Sequence, residues 1–134
     1  MSNALIAALD RVSAVLHAQL DSVVGGRLYT PNSPINPPLP CLVWHSLDDG
    51  GRAIRYFAHT QWEGVIAIRV FAASQEAANT LAQQIATTLP GRYPTSTGGG
   101  ALIILDRPVP RRPADPTTTT WMAAHRYLVR LAGD

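Results

Sequence analysis

The stretch from Trp62 to Leu89 constrains this chain most. Apolar and polar residues alternate from Trp62 to Phe71, the period of a strand with two unlike faces. Within three residues the period changes: after Ser74 the run Gln75-Glu76-Ala77-Ala78-Asn79-Thr80-Leu81-Ala82-Gln83-Gln84-Ile85 places Ala78, Leu81, Ile85 and Leu89 on one helical stripe. Glu76 falls in the first turn, where the helix dipole favours an acid, and Pro90-Gly91 ends the run. A strand feeding directly into an amphipathic helix must lay that helix on its own apolar face. Trp62, Gly64, Ile66, Ile68, Val70 and Ala72 form that face, whereas Gln61, Glu63, Val65, Ala67, Arg69 and Phe71 form the other.

The remaining segments arrange themselves around this unit. Asn3 to Val24 reads as a helix with Leu5, Leu9, Val12, Leu16, Leu20 and Val23 as its stripe, closed by Gly25-Gly26. Arg27-Leu28-Tyr29 is a short extended piece. Residues 31–40 hold five prolines, which exclude helix and favour an extended arm. Cys41 to Leu47 is a strand, Asp48-Asp49-Gly50-Gly51 reads as a turn, and Arg52 to His59 as the returning half of a hairpin. Residues 92–100 and 107–117 read as loops around a short strand Ala101–Leu105, and Thr119 to Leu131 as the last strand. The expectation is one α+β domain over residues 1–134: a mainly antiparallel sheet of four to five strands, with two helices packed on one face.

In the last strand Ala123, His125, Tyr127, Val129 and Leu131 oppose Met122, Ala124, Arg126, Leu128 and Arg130. One sheet face is therefore apolar and belongs under the helices. The other mixes arginine with Val65, Phe71 and Leu128, and no third helix is available to cover it. Apolar contacts with arginine as the enriched polar residue are the composition of a subunit interface. An ordinary solvent face carrying a few apolar residues has the same composition.

Hydrophobic residues make up 46% and charged residues 15%, so a packed core is expected with little charged cover. All 11 basic residues are arginine, and with 9 acids the net charge is +2, too small for non-specific nucleic-acid binding by charge alone. The single Cys41 has no partner for an internal disulfide, and neither a secretory leader nor a membrane span is expected.

Without lysine, Gly98-Gly99-Gly100 is not a phosphate loop of the Walker type. Cys41 and His45 share a strand face but stand about 13 Å apart at strand rise, too far to chelate one ion. No metal site, cofactor or catalytic residue is expected. Cys41 reads as an inert core thiol, and Asp48-Asp49 as turn residues. The arginines at 107, 111 and 112 suit an acidic protein partner, a phosphate or plain solvation.

Three features together resemble the tail-terminator, or tail-completion, proteins of long-tailed bacteriophages and prophages. These are the first helix ending in Val24-Gly25-Gly26-Arg27-Leu28-Tyr29, the proline segment closing as Leu39-Pro40-Cys41-Leu42-Val43-Trp44, and the Val65–Leu89 unit with the closing Arg126-Tyr127-Leu128-Val129 strand. The resemblance implies a non-enzymatic homo-oligomeric ring, typically a hexamer. The ring would cap the tail tube, end its polymerisation and offer a surface to the neck or head-completion protein. It implies the head-proximal end of the virion tail as location, with host cytoplasm before assembly, and passage of DNA through the ring without sequence reading. A neck or minor tail protein, or a small cytoplasmic binding module, is the alternative. Expected interface residues are Val65, Arg69, Phe71, Arg126 and Leu128 on the open face, Arg52, Arg55 and Tyr56 in the hairpin, and Arg111 and Arg112 in the late loop.

Overall fold

The computed structural model describes residues 3–30, 38–47, 52–56, 59–94, 100–113 and 120–132. Side chains are described for these residues except at 3–7, 52–56, 59–61, 94, 100–102, 105–113 and 132. Helix α1 (Asn3–Leu20) runs into a 3-10 turn (Asp21–Val23), followed by strands β1 (Leu28–Tyr29), β2 (Cys41–Ser46), β3 (Arg52–Tyr56) and β4 (His59–Ala72). Helix α2 (Gln75–Thr88) then precedes β5 (Gly91–Pro94), β6 (Gly100–Pro113) and β7 (Trp121–Ala132).

The fold is α+β, as the alternation of periods predicts, but the sheet is larger than expected. Seven strands take part, in the order β1-β2-β4-β7-β6-β5 with β3 also on β4. The sheet is mixed, because β1 lies parallel to β2 while the other pairs are antiparallel.

Burial follows the alternation in β4 except at Ala67, and in β7 from Arg126 to Leu131, whereas Met122 and Ala124 of the other face are buried as well. Trp62, Ile66, Ile68, Val70, Tyr127, Val129 and Leu131 join Leu42 and Trp44 of β2 in the core, together with Val12, Leu16 and Leu20 of α1 and Ala78, Ala82, Ile85 and Leu89 of α2. Each fully buried aliphatic side chain stabilises the fold by about 1.5–3 kcal/mol, so this shared cluster holds both helices to one sheet face. Leu81 sits at its rim, only partly buried. Gly25 and Gly26 have φ of 60° and 82°, the left-handed conformation that closes the first helical segment without a Cβ penalty. At the start of α2, the Ser74 side chain accepts a hydrogen bond from the Ala77 N–H at 3.1 Å.

Three expectations need correction. Strand β3 does not return along β2. It pairs with β4, from Arg52↔Glu63 to Tyr56↔His59, on the same edge of β4 where β2 pairs from Cys41↔Phe71 to Ser46↔Ile66. The two strands are consecutive pieces of one interrupted strand, and the hairpin closes between Tyr56 and His59; residues 48–51 and 57–58 lie outside the described ones.

The second correction concerns residues 107–113, expected as loop. They continue β6 along β7 as far as Pro113↔Trp121, with register shifts between Leu105 and Arg107 and between Val109 and Arg112. The prolines are tolerated because β5 covers β6 only from Gly100 to Ile103, leaving the rest on an edge that needs no amide donors. Third, Gly91–Pro94, the opening of the other expected loop, forms β5; residues 95–99 and 114–117 are outside the described ones, as is the arm over residues 31–37.

Candidate interaction surface

The face of the sheet away from the helices is built by register. Because strands lie about 4.8 Å apart, residues paired across several strands form rows perpendicular to them. Val65 is paired with Leu128, which is paired with Ile104. On the other side the Leu47 N–H donates to the Val65 carbonyl at 2.9 Å, so Leu47 extends the row. Leu47, just past the end of β2, and Val65, Leu128 and Ile104 of three strands thus make one apolar row, roughly 14 Å long at that spacing. Its ends are open: Leu47 is 42% exposed and Ile104 40%.

The flanking rows are charged. On one side Glu63 accepts from Arg130 Nε at 3.0 Å, a bridge lying in register with Arg52 of β3. On the other, His45, Ala67 and Arg126 follow in one row, with Arg107 in register on β6. The next row holds Val43, Arg69 and Ala124, and the last Cys41, Phe71 and Met122, with Arg112 in register. On this face Cys41, Ala67, Met122 and Ala124 are buried, while Arg69 is exposed and Val65, Phe71, Arg126 and Leu128 are half-buried.

Burial and then the Arg69 guanidinium push the His45 imidazole below its ordinary value, so it is neutral at pH 7. Its Nδ1 is shielded from solvent and has no hydrogen-bond partner among the described residues. Arg69 makes no ion pair there either. Cys41 is buried and its thiol pushed up, chiefly by burial, which makes it unreactive.

The ten expected interface residues are not one patch. Val65, Arg69, Phe71, Arg126 and Leu128 share the open face, and Arg52 and Arg112 stand in its rows by register. Arg55 is paired with Thr60, out of phase with Arg52 and Glu63, and Tyr56 with His59 at the hairpin end. Arg111 falls within the second register shift of β6. Leu47 and Ile104, the most exposed members of the apolar row, were not expected.

Among the described residues no three His, Cys, Asp or Glu side chains are grouped to hold a metal ion. No helix there is long and apolar enough to cross a membrane. No protein-family model matches the chain, and no curated protein is significantly similar to it.

Proposed function

We infer that this chain is a structural subunit of a phage-tail assembly, a tail-terminator-like protein that associates with copies of itself on the end of a tail tube and prepares it for the neck. The reading is supported above all by the open sheet face. An apolar row crosses three strands and ends on Leu47 with both ends exposed, and arginine-bearing rows border it. That arrangement has the apolar centre and arginine-rich surround of a protein contact. The aromatic residues among the described members of its rows are Phe71 and Tyr29, the latter in register with Val43. The tail-tube and neck partners, the ring and its hexameric size come from the resemblance of element order described above.

Sedimentation of the purified protein, combined with negative-stain imaging in the presence of assembled phage tail tubes, tests this reading. The expected result is density at one tube end. Leu47→Asp and Ile104→Asp, placed at the exposed ends of the row, should fold normally and lose that end-binding. A protein that leaves tube ends bare and remains a monomer in solution refutes it.

A further inference from the structure

The sheet is open at a border as well as on its face. In β4 the Val65 carbonyl accepts from the Leu47 N–H, so it points toward the side where β2 and β3 lie. Backbone groups alternate along a strand, which turns those of Glu63 and Gln61 the same way. Their partners Arg52 and Ile54, and Tyr56 opposite His59, therefore bond to β4, whereas Ala53 and Arg55 point their N–H and C=O groups away from it. Among the described strands β3 pairs with β4 alone, so no strand meets these outward groups. An unpaired row of donors and acceptors is a template for one more strand.

The other borders offer less. Strand β1 has two residues. On β5 the outward positions are Arg92 and Pro94, and proline has no N–H. By the same alternation, β6 bonds to β7 at Ile104, Arg107, Val109 and Arg112, which puts Pro108 and Pro113 at outward positions.

Strand β3 is complementary to itself. In an antiparallel, two-fold pairing about Ile54, Ala53 stands opposite Arg55 of the second copy, and Arg55 opposite its Ala53. Each of these pairs exchanges both of its N–H···O bonds, so every outward group of the strand is used. Arg52 comes opposite Tyr56, and no arginine stands directly opposite an arginine across the junction.

We propose that β3 pairs with β3 of a second copy of this chain, joining two sheets into one across a two-fold axis. The added strand lies in the plane of the sheet and leaves the apolar row of the open face uncovered. The contact goes beyond the assembly reading above and does not depend on it.

Proline substitution and hydrogen exchange test the pairing. Ala53→Pro and Arg55→Pro each delete an outward N–H in both copies and leave the bonds to β4 in place. Each should weaken dimerisation at least about tenfold in sedimentation equilibrium. Arg55→Ala keeps the N–H and should dimerise as the wild type does. In the wild type, the Ala53 and Arg55 amides should exchange with deuterium more slowly as protein concentration rises, while Ile54, bonded to β4, is protected throughout. That measurement needs no variant, so it stands even if a proline loosens the hairpin. Proline variants that associate like the wild type, or loss in Arg55→Ala as large as in Arg55→Pro, overturn the pairing. Exchange at Ala53 and Arg55 that ignores concentration does so as well. A monomer that caps tube ends overturns the pairing alone, and a dimer that leaves them bare overturns the assembly reading alone.

Discussion

Tyr127 is the largest fully buried side chain, and its hydroxyl has no hydrogen-bond partner among the described residues. A hydroxyl taken out of water without compensation costs about 1–3 kcal/mol. The oxygen's own dispersion contacts return only about 0.1–0.2 kcal/mol each. Tyr127→Phe is therefore expected to stabilise the protein by about 1 kcal/mol, which is a rise of roughly 3–5 °C in Tm for a domain of this size. In urea the midpoint should rise by about 0.5 M with the slope unchanged. Burial also pushes the phenol above its ordinary value. With the folded value raised, the unfolded chain releases this proton first. The stability is complete below about pH 10 and falls as pH rises beyond it, by about 1.4 kcal/mol per pH unit from this group. Cys41 and Tyr93 are shifted in the same direction and act in both proteins, so the wild-type-minus-Phe difference above pH 10 isolates Tyr127. Loss of 1 kcal/mol or more at pH 7 in Tyr127→Phe would mean the hydroxyl is satisfied, by buried water for instance, and the reasoning would be wrong.

Gly64→Ala should cost about 1–3 kcal/mol by urea denaturation, because the added Cβ would lie 2.5 Å from Cη2 of the buried Trp62 ring; a wild-type midpoint would contradict this packing. Ile68→Asp places an unpaired charge under the helices and should abolish the cooperative thermal transition. Phe71→Asp, on the half-buried opposite face, should keep that transition at a cost of about 1 kcal/mol while weakening self-association in sedimentation. Ser74→Ala removes the cap from α2 and should cost about 1 kcal/mol, with faster hydrogen exchange at Ala77 than in the wild type.

The β4–α2 unit was legible because two periodicities meet there and a serine cap marks the junction. The two faces of β4 and β7 followed from alternation alone. Ile104 escaped because Ala101 to Leu105 is apolar at every position, so alternation has nothing to choose between. Leu47 escaped because it precedes a turn-like Asp-Asp-Gly-Gly run, and only its bond to Val65 places it beside the row. Prolines at 108, 110 and 113 read as loop because proline weakens strands; whether a strand stands at an edge, where that weakness is tolerated, depends on its neighbours. The same holds for β3, since sequence proposes a hairpin but not which strand it joins.

The prolines in the far half of β6 bear on how this chain resists aggregation. Exposed strand borders invite foreign chains to add on and so lead to fibrous by-products. Where three peptide nitrogens carry no hydrogen, recruitment along that border is starved of donors.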